Sequence, residues 1–264
     1  MFRSIYRRAT LLLLLLATCN AQDWARASLE KSPRHHEWVQ VKHGDRVVHA
    51  FVVYPEVKEK KPVVVVIHEN QGLTDWVRSV ADQLAAAGYI AVAPDLLSGM
   101  APKGGKTSDF PDASSAREAI YKLDPEGVTA DLNAVTDHAR KLPAGNGKVA
   151  VAGFCWGGAQ TFRFATNRRD LAAAFVFYGT GPEDVSGISA PVYAFYGGDD
   201  ARVNATIAKT KEEMSNAGKK YEPVTYEGAG HGFMRSGEAP DASDPNRKAR
   251  QQAWQRWLDL LKRM

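Results

Sequence analysis

The sequence predicts one α/β domain: a mainly parallel sheet with helices on both faces, opened by an antiparallel hairpin. Three observations predict it. Residues 63–67 form a continuous β-branched run, the mark of a strand buried on both faces of a parallel sheet. Apolar runs recur at 89–93, 148–152, 172–178 and 191–196, and stretches with helical spacing separate most of them. That alternation argues for βαβ connections around a single core. The first β signals differ, because 37–42 and 46–54 flank His43-Gly44-Asp45, a hairpin turn signal.

The elements follow in order. Leu73, Trp76, Val77, Val80 and Leu84 predict a helix over 73–88 with Gly88 as its stop. Pro94 is expected to close the 89–93 strand. Residues 94–112 carry three glycines and two prolines beyond Pro94 and read as a long loop, such as the wall of a site. Helices are expected over 113–122, 126–142, 157–166, 203–217 and 246–264, and a last strand over 221–226. Residues 22–36 read as a polar segment, and the domain proper as 37–264. In such sheets function sits at the carboxyl ends of the strands.

The chain has 264 residues, 44% of them hydrophobic and 24% charged, which excludes a wholly disordered or collagen-like protein. The formal charge of +4 owes much to Arg3, Arg7 and Arg8. Without them 31 basic residues face 30 acidic ones. No basic stripe argues for nucleic acid, and a monomer is expected.

Residues 1–21 read as a signal peptide: a basic start, six leucines from Leu11 to Leu16, then small residues with cleavage after Ala21. The apolar run is too short to span a bilayer, which takes about 20 residues. A periplasmic or secreted location is expected. A twin-arginine signal at Arg7-Arg8 is the weaker route, and lipid anchoring at Cys19 ranks second because Thr18 precedes it. Cleavage leaves Cys155 as the one cysteine of the mature chain, so no internal disulfide forms.

The sharpest chemical signal is Gly153-Phe154-Cys155-Trp156-Gly157-Gly158, between a strand and a helix. This is a nucleophile elbow with cysteine in the serine position. The turn is tight enough that side chains at 153 and 157 would clash. The helix that follows presents its positive end to the sulfur. A buried, inert cysteine in a glycine-rich turn is the bland alternative. A nucleophile of this type needs a base and a group to orient it, in the chain order nucleophile, acid, histidine. Asp199 and Asp200 follow one strand, and His231 follows the next. His231 is the only histidine after Cys155. Turn aspartates and a solvated loop histidine would explain each alone, but not three placements in register.

The 63–67 strand runs into His68-Glu69-Asn70-Gln71-Gly72, where half of an oxyanion hole is built from a backbone N–H. The N–H groups of Asn70 and Trp156 are the candidates. Glu69 would repel a developing oxyanion, so it needs another task or must point away. The bland reading pairs it with Arg78 or another base.

These segments, with Ala93-Pro94-Asp95-Leu96-Leu97 and Asp131-Leu132-Asn133-Ala134-Val135, resemble the dienelactone hydrolase family over 37–264. The resemblance implies an α/β-hydrolase fold and a Cys155-Asp200-His231 triad. It places Glu69 beside the cysteine, holding the thiol neutral until substrate binding swings it towards the histidine. It gives Arg235 the task of binding a substrate carboxylate, so anionic substrates are expected to be preferred. A second substrate-binding arginine of the family has no counterpart in Leu97-Ser98-Gly99-Met100. The implied activity is cleavage of an ester or lactone through an acyl-cysteine, with no metal or organic cofactor. A non-catalytic thiol redox or binding protein, or an acyltransferase, are the alternatives on the same fold.

Weaker features read blandly. His35-His36 lacks a third metal ligand at useful spacing and reads as a solvated tail. His43, His49 and His138 read as turn, strand and helix-surface residues. Trp254 and Trp257 read as core, and Glu183 and Asp184 as a turn.

Overall fold

The computed structural model describes residues 22–264; the signal-peptide reading of 1–21, with Cys19, lies outside them. The sheet has eight strands. β1 (His36–His43) and β2 (Arg46–Val53) form the expected hairpin, and β2 pairs antiparallel with β4 (Ile90–Asp95). The pairings among β3 (Lys61–Ile67), β4, β5 (Gly145–Phe154), β6 (Ala174–Phe177), β7 (Val192–Gly197) and β8 (Tyr221–Tyr226) are parallel. Across the sheet the order is β1-β2-β4-β3-β5-β6-β7-β8. Among the described residues no helix is long and apolar enough to cross a membrane.

Strand alternation sends side chains into two cores. Val64, Val66, Ala150, Ala152 and Phe154 face α2 (Asp75–Ala86) and α9 (Asp244–Leu261), where Trp76 and Trp257 are fully buried. Val63, Val65, Ile67, Val149 and Val151 face α4 (Pro125–Arg140) and α5 (Trp156–Asn167). Trp257 packs edge-on to Phe154 and Phe177, as its reading as core requires, and truncating such an aromatic to alanine costs about 3–5 kcal/mol.

Several expectations are corrected. The polar segment contains α1 (Asp23–Glu30), an amphipathic helix that buries only Ala25 and Leu29. His36 is not in a solvated tail. It opens β1, and its Nε2 lies 2.8 Å from Asp82, which also receives Ser32 and Arg34. Pro94 does not end β4. It sits beyond the β3 pairing, opposite Ala50, where its missing N–H leaves no ladder bond with β3 unmade. The 203–217 helix is two, α6 (Ala201–Asn204) and α7 (Ile207–Asn216), and a short α8 (Phe233–Ser236) was not signalled. His138 is half-buried, with its Nε2 lacking a hydrogen-bond partner, and burial lowers its pKa.

Candidate active site

Cys155 stands between the end of β5 and the start of α5, with φ 56° and ψ −116°. A non-glycine residue is strained there, and two features hold it. Its N–H donates to Phe177 O at 3.0 Å, and its carbonyl accepts from Ala159 N–H at 3.1 Å. The flanking glycines are obligatory for space. A Cβ on Gly153 would collide with the Gly157 carbonyl and Thr161, and one on Gly157 with the carbonyls of Ile67 and His68.

His231 lies after β8, and its Nε2 is 3.0 Å from Cys155 Sγ. Its Nδ1 is 2.5 Å from Asp200 Oδ2. An ionised carboxylate only accepts, so Nδ1 carries the hydrogen and Nε2 is free to accept the S–H. Asp200 is buried at the end of β7, and its Oδ1 also accepts from Val203 N–H, capping α6. The acid and histidine loops are tied by Asp199 N–H donating to Ala229 O at 2.9 Å. The three groups therefore meet at the carboxyl edge of the sheet. The sulfur already faces the imidazole, without the swing that the family resemblance implies.

Glu69 is buried beside them, and its partner is not Arg78, which pairs with Asp75. Arg235, on α8, donates from Nε to Glu69 Oε2 at 2.8 Å. Tyr178 O–H donates to Glu69 Oε1 at 3.4 Å, and its ring stands edge-on to His231. Burial, then the Glu69 charge, raise the Tyr178 pKa well above the ordinary phenol value. Burial also pushes the Cys155 thiol up, with Glu69 next, while the Trp156 N–H, Arg202 and Arg235 pull it down. The net direction is a thiol held neutral.

His68 was passed over in the sequence because a histidine at a strand end has no distinctive pattern. It is fully buried, and burial lowers its pKa and keeps it neutral against the pull of Asp95. Nδ1–H donates to Glu69 O, and Nε2 accepts from Leu96 N–H. Its ring stacks on Trp156 at 5.6 Å. His68 thus fastens the Glu69-Asn70 turn both to the exit of β4 and to the residue after the nucleophile.

A cleft of about 700 Å³ opens over Cys155, His231, Asn70 and Trp156. Residues 94–112, expected to wall it, contribute no lining side chain. Their chain leads instead to α3 (Ala113–Ile120), from which Arg117 and the following Tyr121 line the cleft. Glu183 and Asp184 stay outside it, while Tyr178, Gly179 and Thr180 take part. Among the described residues no group of three or more His, Cys, Asp or Glu is arranged to hold a metal ion.

The model of the dienelactone hydrolase family matches residues 48–264. The chain belongs to that family. This dienelactone-hydrolase-like α/β hydrolase is 32% identical over 208 residues to a carboxymethylenebutenolidase of Pseudomonas putida, covering 76% of this chain and 86% of that one. Two solved structures share its fold. A dienelactone hydrolase-like promiscuous phosphotriesterase from metagenomic libraries has a TM-score of 0.73 at 24% identity, covering 87% of this chain and 98% of that one. A dienelactone hydrolase from Anabaena variabilis has a TM-score of 0.63 at 20% identity, covering 84% and 96%.

Proposed function

We propose that this dienelactone hydrolase homologue cleaves a carboxylic ester or lactone through an acyl-cysteine. The observation that carries the reading is the line Asp200–His231–Cys155, with contacts of 2.5 and 3.0 Å. The Cys155 S–H proton passes to His231 Nε2 as the sulfur attacks the carbonyl carbon. Asp200 stabilises the imidazolium that forms and keeps its orientation. The tetrahedral oxyanion is held by the N–H groups of Trp156, at the positive end of α5, and Asn70. Collapse expels the alkoxide, which takes the proton from His231. Water then loses a proton to His231, attacks the thioester and returns the thiolate, which recovers its proton.

The raised thiol pKa fits this order of events. Proton transfer to His231 is coupled to attack, so a standing thiolate is not required. The name of the Pseudomonas putida relative favours a lactone over an open ester as the natural bond. Hydrolysis of p-nitrophenyl acetate, abolished in Cys155→Ala, together with a mass shift of one acetyl group on Cys155 in rapidly quenched protein, tests the reading. Turnover surviving in Cys155→Ala would defeat it.

A further inference from the structure

Four side chains with full charges line the cleft: Glu69, Arg117, Arg202 and Arg235. Arg235 and Glu69 neutralise each other. Arg117 and Arg202 are left over. Neither guanidinium makes an ion pair or hydrogen bond among the described residues. Several other arginines have carboxylate partners, such as Arg26 with Glu30, Arg140 with Asp170 and Arg163 with Glu126, whereas exposed Arg169, outside the cleft, makes no ion pair among the described residues.

The two free guanidinium groups reach the cleft from different walls. Arg202 follows Asp200 by two residues, on α6, and its charge is felt at the Cys155 thiol. Arg117 lies one turn before Tyr121, so both share a face of the α3 segment. The Tyr121 hydroxyl accepts from Asn70 Nδ2 at 3.2 Å, which fixes that face over the oxyanion turn. Two unmatched cations thus stand over a nucleophile, from elements that carry no other part of the triad except Asp200.

We propose that Arg117 and Arg202 form an anion subsite that selects substrates bearing two negative charges, as a pair of carboxylates, on the part remote from the scissile bond. The inference rests on the hydrolase reading for the word substrate, but the subsite itself does not require turnover. The leftover charge of the cleft is two, which a dianion matches and a monoanion leaves half unmet. Both arginines face solvent, so the attraction is screened by salt.

The test is calorimetric titration of the purified protein at neutral pH and low ionic strength with succinate, a dianion, and butyrate, a monoanion. Succinate is expected to bind about tenfold more tightly, the scale of two charge-assisted contacts at an exposed site. Arg117→Gln and Arg202→Gln should each weaken succinate about threefold to fivefold, and the double variant should lose the preference. Arg169→Gln removes the same charge from an exposed position outside the cleft and should change nothing. Equal binding of succinate and butyrate, or full succinate affinity in the double variant, would overturn the subsite. Hydrolysis of p-nitrophenyl acetate is measured in parallel. Succinate selectivity without hydrolysis would sink the hydrolase reading and keep the subsite, and hydrolysis without selectivity would do the reverse.

Discussion

Two carboxylates flank Cys155, and the fold uses them in opposite ways. Asp200 is buried at the end of β7 and spends one oxygen on His231 and the other on the start of α6. Its charge therefore acts on the sulfur only through the imidazole, where it supports proton acceptance. Glu69 is buried at the end of β3 and spends its oxygens on Arg235 and Tyr178. Its charge acts through space, directly on the thiol, and raises it. The difference teaches that partner geometry decides what a buried carboxylate does. One activates the thiol by way of a histidine. The other restrains it, with an arginine beside it to limit the restraint.

The largest expected effect comes from the activating side. Asp200→Asn should lower kcat for p-nitrophenyl acetate by about 10⁴-fold, since the amide favours the wrong tautomer of His231. A loss under tenfold would put Asp200 on a par with a surface residue and erase the contrast. Next is the elbow that both carboxylates depend on. Gly157→Ala places a methyl group against the carbonyls of Ile67 and His68 and should destabilise the protein by about 1–3 kcal/mol in urea unfolding. An unchanged midpoint would mean that the strand end yields freely.

The restraining side gives smaller effects. Glu69→Gln should speed alkylation of Cys155 by iodoacetamide at neutral pH by about threefold to tenfold, because each pKa unit is worth up to tenfold in thiolate. It should also slow ester turnover, because Arg235 and Tyr178 lose the anion that positions them. Arg235→Gln should do the opposite to alkylation, slowing it, because the Glu69 charge is unmasked. Parallel changes in the two variants would show that their effect on the thiol is not electrostatic.

The smallest effect is remote. Asp82 is held low despite burial, because Arg34, Ser32 and His36 bond its carboxylate. A depressed carboxylate contributes stability above its ordinary pKa and loses it as pH falls through the lowered one. The urea midpoint should fall less steeply with acid in Asp82→Asn than in the natural protein. Identical acid slopes would remove Asp82 from the account.

Much of this was legible in the chain. The β-branched runs read as buried strands because Val and Ile fill both cores at once. The elbow read as an elbow because only glycine fits at 153 and 157. Cys155 and His231 could be placed by order alone, since each follows a strand; order left Asp199 and Asp200 both open, and the family resemblance picked out Asp200. The rest was not written locally. Glu69 and Arg235 are 166 residues apart, and nothing in either segment says that they meet. Arg117 and Arg202 look like ordinary helix-surface charges until the third dimension leaves them without acids. The α1 helix was missed because it buries only Ala25 and Leu29, too few for an apolar period to stand out.

The Cys155 N–H pairs with Phe177 O, and the Tyr178 N–H, one strand over, pairs with Phe195 O at 2.8 Å. Both residues have positive φ, yet their amides continue the ladder of the sheet. The backbone of the nucleophile is thus a rung of the most cooperative unit in the molecule. Its amide proton should exchange with deuterium only when the whole sheet opens, as slowly as those of the central strands. A catalyst mounted in this way cannot adjust its attacking atom to a new substrate. Accommodation falls to the rim, where α3 and α6 border the cleft, and changes of specificity in this lineage should accumulate there while the sheet stays as it is.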